Sequence, residues 1–171
     1  VVTTASIGVC YSMSTSTIVL FLLNELNLKP AFFGIALTIQ GSGAILGALV
    51  APKLSSKFGR SRVMAICIFM SSLLILLQGL SPNIYAYIAL AFIASFTITN
   101  WNILLMATYQ SVIPGHLFGR IHGTRRTLVW GLMPFGSLLG GFIAKGGLRL
   151  PLLIGGAIAT VIALLSLKFL L

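Results

Sequence analysis

The side chains of this sequence that could bind or react are few, and most of them are uncharged. Asn100, Trp101 and Asn102 stand together inside a long apolar run. An amide in apolar surroundings must find a hydrogen-bond partner, so we expect Asn100 and Asn102 to point inward. Two roles are open for each amide: a hydrogen bond between helices, or a contact with a bound solute.

Further polar and aromatic residues complete a candidate cavity. The first apolar run is rich in hydroxyl groups in its first half, and such a helix faces a cavity or another helix instead of lipid all round. Trp101 and Trp130 offer ring surfaces for stacking on a solute, although packing explains both equally well. The candidate cavity residues are Tyr11, Ser12, Ser14, Gln40, Asn100, Trp101, Asn102 and Trp130.

Catalytic chemistry is not indicated. Glu25 is the single acidic residue, so no carboxylate pair exists for acid–base work. Cys10 and Cys67 lie in apolar runs without metal-ligand spacing. The spaced glycines of residues 41–47 and 136–141 lie inside apolar runs, where close helix packing explains them. We predict that the protein is not an enzyme and has no metal and no cofactor.

Composition indicates a membrane protein. The 171 residues have a mean hydropathy of +1.10 and are 58% hydrophobic and 7% charged, whereas a soluble domain carries about 25% charge. The formal net charge is +10, but the cations lie at the ends of apolar runs instead of forming a stripe with aromatic residues. This pattern predicts contact with a lipid bilayer and argues against nucleic acid.

Six apolar segments predict an all-α membrane protein with six transmembrane helices. They cover about residues 1–23, 30–50, 63–80, 83–106, 127–144 and 150–171. The third segment is the most uniformly apolar, and we expect it to meet the most lipid. Ser81 and Pro82 have the composition of a helix cap followed by a helix-opening proline.

Two basic stretches separate these segments. In residues 52–62, Gly59 allows a tight turn with positive φ, and the arginines after it should open the next helix. Residues 118–126 form a second predicted basic loop. The turns after the second and fourth segments, with the C-terminal end, hold Lys53, Lys57, Arg60, Arg62, Arg120, Arg125, Arg126 and Lys168. The other side holds Lys29, Lys145 and Arg149, so the positive-inside rule predicts cytoplasmic termini and an even number of crossings.

An internal repeat relates the second and fifth segments. Residues 43–51 and 136–144 both read G-x-x-L-G-x-x-x-A. Because these helices would end on opposite sides of the membrane, the match predicts a 3+3 inverted repeat. A common close-packing face is the alternative explanation. We expect helix packing at Gly43, Gly47, Gly136 and Gly140, and a bend of the fifth helix at Pro134.

The whole sequence resembles the C-terminal six-helix half of a major facilitator superfamily (MFS) transporter. Residues 51–62 resemble the family's loop signature in the copy between its eighth and ninth helices. Residues 110–123 are similar to the loop between the tenth and eleventh helices, and residues 130–141 resemble the eleventh helix. The last two stretches together are most similar to the branch of macrolide-efflux and siderophore-export proteins.

The resemblance implies a secondary transporter that works by alternating access. The first, second, fourth and fifth segments would line its cavity, and the third and sixth would be outer supports. It also implies export of a small drug-like or siderophore-like solute across the bacterial inner (plasma) membrane, and an N-terminal six-helix half as partner. The loop-signature residues would be Lys57, Gly59, Arg60, Arg62, Gly119 and Arg120. Binding of lipid headgroups and a gating latch at Arg60 or Arg120 are their alternative roles.

Two departures from the family pattern limit what carries over. Ser56 stands where the loop signature has a carboxylate three residues before its glycine, which removes or weakens the latch made by that acid. Pro134 is followed by Phe135 and not preceded by glycine, so the Gly-Pro pair of the antiporter signature is missing. Antiport is therefore an inference from the branch alone.

Coupling and substrate are only partly constrained. If protons are the coupling ion, the partner half must supply the carboxylate, because the apolar segments here lack a titratable group suited to it. A cavity without acids favours neutral, amphipathic or anionic solutes. A stand-alone six-helix channel or oligomeric small transporter is the alternative function, and a membrane scaffold is a third. The residues leave substrate identity, direction of transport and oligomeric state open.

Overall fold

The computed structural model describes the backbone of residues 2–170 and the side chains of residues 3–166, and this part of the chain is helical throughout, without a β-strand. Helix α1 is Val2–Thr15, which Ile18–Leu20 and the π-helical Phe21–Glu25 prolong after a turn. Helix α2 is Phe33–Phe58, entered through a 3₁₀ turn at Pro30–Phe32. The others are α3, Arg60–Gly79; α4, Ile84–Val112; α5, Gly115–Ile143, followed by a 3₁₀ turn at Ala144–Gly146; and α6, Leu150–Leu170.

Among the residues that the structure describes, five helical segments are long and apolar enough to cross a membrane. They are Thr3–Glu25, Pro30–Phe58, Arg60–Gly79, Ile84–Val112 and Gly115–Gly146, and the apolar stretch described in α6, Leu150–Ser166, is shorter. Helices α2, α4 and α5 contain 26, 29 and 29 residues. At 1.5 Å per residue they measure about 39 to 44 Å, more than the roughly 30 Å of a hydrocarbon core. Their ends therefore project into the headgroup region or water.

The second basic stretch is helical, so the predicted loop over residues 118–126 is wrong. The chain turns earlier, at Pro114, whose ψ of 140° leaves the helical region, and α5 begins at Gly115. The chain reversal at Pro114 is enough to connect the two helices without a longer loop. A helix that is longer than the hydrocarbon core can carry cations on the helical turns that project beyond that core. Arg125 and Arg126 thus lie on α5, about 15 Å along the axis from its start.

The first basic stretch has the predicted turn at Gly59. Its φ of 85° is accessible to glycine at little cost, and this single residue separates α2 from α3. Arg60 and Arg62 open α3, as predicted. Arg60 Nη1 donates to Ser111 Oγ at 3.3 Å near the end of α4, which brings the α2–α3 and α4–α5 turns to one end of the bundle. We call this end the basic end.

The start of α4 differs in detail from the prediction. Asn83 is its N-cap, with Oδ1 accepting from the Ala86 N–H at 2.9 Å. Ser81 does not cap α4, because its hydroxyl donates to the Gln78 carbonyl at 2.7 Å and so closes the end of α3. The turn lies where it was predicted, but both predicted roles are wrong: the capping side chain lies two residues after Ser81, and Pro82 precedes the cap instead of opening the helix.

The helices pack mainly in pairs. Helix α2 packs on α4, α1 packs on α5 and α3 packs on α6, while α3 also contacts α4 and α1 also contacts α6. This pattern is unchanged when α1 is exchanged with α4, α2 with α5 and α3 with α6. The buried residues of α2 are Ala36, Gly43, Gly47 and Ala51, and those of α5 are Val129, Gly136 and Gly140. The three in α5 lie 93 residues after the first three in α2.

Glycines let the paired backbones approach closely. A Cβ built on Gly47 would lie 2.6 Å from the Phe96 carbonyl oxygen of α4, and one on Gly43 would collide with the Phe92 carbonyl. In the other pair, a Cβ on Gly136 would collide with the Val9 carbonyl of α1. One on Gly140 would collide with the Met13 carbonyl. Each helix pair thus has two contact points, about one helical turn apart, where only glycine fits. We call these four glycine positions the glycine seals.

Helix α3 is buried, so the expectation that it meets the most lipid is wrong. Within its apolar window 61% of the residues are buried, against 17% for α2 and α5. A helix that is apolar on all sides is also what a helix surrounded by others requires, and α3 lies against both α4 and α6. Large exposed apolar side chains are concentrated instead on α2, α5 and α6, for example at Leu49, Phe135 and Leu165.

At the end opposite the basic end, an ion pair that includes the chain's single acid joins two segments. Glu25 Oε2 lies 3.2 Å from Arg149 Nε, and both side chains are partly exposed. The Arg149 guanidinium also stands 5.7 Å from the ring centroid of Phe21, which is fully buried. This pair connects the π-helical end of α1 to the segment that leads into α6.

The glycine seals predict a position-specific loss of stability. Gly43→Leu and Gly136→Leu should each destabilise the purified protein by about 1–3 kcal/mol, because the new side chain must push a neighbouring backbone away. Gly41→Leu and Gly141→Leu are matched controls on the same helices, since a Cβ at either position meets open space. Thermal unfolding in detergent should separate the two groups, and equal melting temperatures for all four variants would contradict the packing described.

Candidate functional site

Three consecutive residues of α4 have three different environments. Asn100 is fully buried against α2, where a Cβ built on Gly47 would lie 3.1 Å from its Nδ2. Its Nδ2 donates to the Phe96 carbonyl at 2.8 Å, so the amide is held by its own helix. Trp101 is 9% exposed and packs among apolar residues of α3 and α4. Asn102 is exposed and lines a cavity.

The serines predicted for the cavity on α1 join helices instead. Ser12 Oγ donates to the Met133 carbonyl at 2.8 Å and lies 2.6 Å from Ser137 Oγ, so it binds α1 to α5. Ser14 Oγ lies 2.9 Å from the Cys10 carbonyl and 3.3 Å from the Pro151 carbonyl of α6. Neither serine lines the cavity that Asn102 lines. Tyr11 is the α1 residue of the predicted set that does line it.

The cavity that Asn102 lines, which we call the inner cavity, lies between α1, α3, α4 and α5 and has a volume of about 330 Å³. Four of the eight candidate residues line it: Tyr11, Trp101, Asn102 and Trp130. Its size is at the lower end of the range for small-molecule sites, about 300–1,000 Å³. The inner cavity is therefore one place where this chain could hold a small solute, and it brings together four of the candidate residues.

A narrower space adjoins it. This side cavity, of about 40 Å³, is lined by Tyr11, Ser14 and Gln40 from the candidate set, together with Gln78 and Ser95. It has room for about one water molecule, so it can hydrate polar groups but not hold a solute. Tyr11 lines both spaces and is the candidate residue common to the two.

Sequence reasoning missed five polar residues of the inner cavity wall: Thr4, Ser71, Ser72, Arg125 and Arg126. The serines lie on α3, which was expected to be an outer support, and both hydroxyls donate to the Ile68 carbonyl. The arginines lie in the stretch predicted as a loop. A helical phase carried through residues 115–143 would have placed Arg126, Trp130 and Met133 on one face.

The two arginines rest on aromatic rings. Arg126 Cζ is 4.7 Å from the Trp130 ring centroid, and Arg125 Cζ is 4.8 Å from the Tyr109 ring centroid. A guanidinium stacked in this way keeps its edge N–H groups free for acceptors. Arg125 also lines a third, wider cavity of about 520 Å³ at the basic end, together with Arg120 and His122.

The loop-signature residues lie at the basic end, apart from the inner cavity. Lys57 Nζ stands 5.4 Å from the Phe58 ring centroid, and Arg62 is exposed at the start of α3. Gly119 is an exposed position of α5 with open space beside it. Pro134 lies within α5, which continues through it, and the Ser12 hydroxyl bonds the carbonyl of the preceding residue.

Metal chemistry finds no support in the described part of the chain. Among residues 3–166, no group of three or more histidine, cysteine or acidic side chains could hold an ion together. Cys10 and Cys67 are buried free thiols on different helices. The site consists of hydrogen-bonding, aromatic and cationic groups around a small cavity, which suits reversible binding.

Comparison with known proteins identifies the family. The profile of the Major Facilitator Superfamily matches residues 1–171. The comparisons with curated proteins and with solved structures found no match to this chain. The chain belongs to the Major Facilitator Superfamily, whose members are membrane transporters and not enzymes.

The different environments of the two asparagines predict different reactivity. In a background carrying Cys10→Ala and Cys67→Ala, Asn102→Cys should react rapidly with a charged, membrane-impermeant thiol reagent, because that position opens to the inner cavity. Asn100→Cys should react only after denaturation, because this position is buried against α2. Labelling in nanodiscs measures both rates, and comparable rates would show that the cavity is misplaced.

Proposed function

We propose that the chain is one six-helix half of a secondary active transporter that works by alternating access. The match of the family profile over the whole sequence carries this proposal. The inner cavity supports it, because alternating access needs a solute site between helices that is open to one side at a time. In this proposal Tyr11, Asn102 and Trp130 contact the solute, while Ser12, Ser14 and Asn100 hold the helices around it.

A 3+3 inverted repeat would account for the packing pattern. The contacts between helices are preserved when the first three helices are exchanged with the last three. The glycine seals follow the same exchange, with Gly43 and Gly47 against α4 and Gly136 and Gly140 against α1. In this arrangement α6 is the sixth span, equivalent to α3, and an even number of crossings returns the chain to the side on which it started.

The distribution of charge supports cytoplasmic termini. The basic end carries Lys53, Lys57, Arg60, Arg62 and Arg120, and the opposite end carries Lys29, Lys145 and Arg149, of which Arg149 is paired with Glu25. In this proposal the basic end faces the cytoplasm, which the positive-inside rule favours. The bacterial inner membrane is proposed from the resemblance to the exporter branch. Headgroup phosphates are natural partners for these exposed cations.

The partner half completes the transporter in this proposal. Helices α2 and α5 expose large apolar side chains such as Leu49, Phe135 and Phe142, which suit a second bundle or lipid. Export is the proposed direction, by resemblance to macrolide-efflux and siderophore-export proteins. If protons drive it, the carboxylate comes from the partner half, because Glu25 lies at the helix end and pairs with Arg149.

Transport can be tested with the full-length protein in proteoliposomes. We expect flux of an amphipathic solute, tested with a panel that includes a macrolide and a siderophore, under an imposed pH gradient. Trp130→Ala and Asn102→Ala should lower that flux severalfold at unchanged expression, because both remove cavity-wall contacts. Leu80→Ala, at an exposed turn position, is the control. Absence of flux for every solute would reject the proposed function.

Half-transporter status has a simple readout. An antibody raised against the Lys145–Arg149 turn should detect, in native membranes, a protein of roughly twice the 18.2 kDa of this chain or more, as two fused six-helix halves require. A band at the mass of the chain alone would instead favour the alternative of a stand-alone six-helix channel or oligomeric small transporter.

The contact between the two basic-end turns predicts a gating role for Arg60. Arg60→Gln removes the hydrogen bond to Ser111 and should slow transport at normal expression, since the α2–α3 and α4–α5 turns lose their link. Ser111→Ala should have the same effect, and the double variant should be no slower than Arg60→Gln. Unchanged transport in Arg60→Gln would leave topology and headgroup binding as the roles of this arginine.

A further inference from the structure

The inner cavity contains two cations and no protein counter-ion. Arg125 and Arg126 line it, and none of the described residues around it is acidic. The chain's single acid, Glu25, is paired with Arg149. It follows Tyr11 by fourteen residues, which is about 20 Å along a helix. Two neighbouring cations repel each other, and an anion bound to both would relieve that repulsion.

Both guanidinium groups are held in positions from which they can donate hydrogen bonds to an anion. Each is supported from one side by an aromatic ring, Trp130 for Arg126 and Tyr109 for Arg125. Arg125 Nε is buried and has no hydrogen-bond partner within the part of the chain that the structure describes. Planar groups held in this way present fork-shaped pairs of donors, which match carboxylate, sulfonate and phosphate oxygens.

Apart from the arginines, most of the wall is apolar or aromatic, with the hydroxyls of Ser71 and Ser72 among these residues. Arg125 and Arg126 lie on the turns of α5 nearer the basic end, and Met133 lies two turns further into the bundle. Ile75 of α3 and Ile98 of α4 line the cavity at the deeper level. A bound molecule would therefore meet cations near the basic end and apolar or aromatic surface deeper inside.

We propose that the inner cavity binds an anionic, amphipathic solute, with its acidic group on Arg125 and Arg126 and its apolar body against Trp130, Ile98 and Met133. This names the substrate class of the proposed transporter and rests on that proposed function. A cavity of about 330 Å³ suits a body of roughly bicyclic size. Strongly cationic solutes are excluded by repulsion from the two arginines.

Binding can be measured without transport. The full-length protein in phosphatidylcholine nanodiscs is titrated by calorimetry with naphthalene-2-sulfonate, with neutral naphthalene-2-sulfonamide, and with a cationic naphthyl-trimethylammonium. We expect the anion to bind most tightly. Arg125→Gln and Arg126→Gln should each weaken it roughly tenfold or more, as expected for a charged hydrogen bond. Lys29→Gln, an exposed cation at the opposite end, is the control and should change nothing.

A second variant guards against loss of folding. Asn102→Asp adds a negative charge to the exposed part of the wall while both arginines stay, so it should weaken the anion and not the neutral analogue. Equal binding of all three probes to the wild-type protein, or anion binding insensitive to all three wall variants, would overturn the assignment. Loss of naphthalene-2-sulfonate binding on adding phosphatidylglycerol would do the same, because the arginines would then serve anionic lipid.

The outcome for the substrate class is separable from that for transport itself. Full-rate flux of a neutral or cationic solute in the Arg125→Gln, Arg126→Gln double variant would overturn the anion assignment and leave the transporter intact. Anion binding that depends on the arginines, in a protein that moves no solute, would instead support the site and reject the transport function.

Discussion

Backbone-to-backbone contact between paired helices is the constraint on which the rest of this structure depends. In a bilayer, apolar side chains gain little by leaving lipid for contact with one another, so helices associate through close van der Waals packing and hydrogen bonds. Gly43 and Gly47 supply that closeness between α2 and α4, and Gly136 and Gly140 supply it between α1 and α5. Because one face of α1 and one face of α4 are used in this way, other faces remain to border a cavity.

The polar residues divide accordingly into two groups. Ser12, Ser14 and Asn100 lie where helices meet and bond to backbone carbonyls, which an apolar environment requires of buried polar groups. Asn102 lies on the open face of α4, one residue beyond the Trp101 that packs against α3. The same helix therefore supplies both a structural amide and a cavity amide, with the helical phase deciding which is which.

Much of the architecture could be predicted from the sequence, and the misses have physical causes. The G-x-x-L-G-x-x-x-A repeat located the glycines that meet neighbouring backbones, because only a missing side chain permits that approach. The turn at Gly59 was predictable because glycine adopts positive φ at little cost, and the φ of Gly59 is indeed positive. The loop expected over residues 118–126 failed because charge was taken to end a helix, whereas α5 extends beyond the hydrocarbon core and carries its arginines on helical turns.

Burial was harder to predict than helicity. A uniformly apolar helix can face lipid or other helices, and α3 proved to be the most buried of the five long apolar helices. Tyr11, Trp101, Asn102 and Trp130 line the inner cavity, and they were candidates because they are amphipathic or polar residues in apolar helices. Their contact with a solute stays a prediction. Arg125 and Arg126 were missed because their place on the cavity wall depends on the phase and length of α5, which the turn-like glycines around them obscured.

Cross-linking in the membrane tests the central claim, the close pairing of α1 with α5 that frames the inner cavity. A Cβ built on Gly8 lies 3.4 Å from Val129 Cγ1, so cysteines at these two positions would be neighbours across the helix pair. In a background without native cysteines and with a protease site at Pro82, Gly8→Cys with Val129→Cys should oxidise readily and hold the two fragments together on a non-reducing gel. The pair Gly8→Cys with Gly131→Cys should separate. Separation of the first pair, or joining of both, would contradict the helix arrangement.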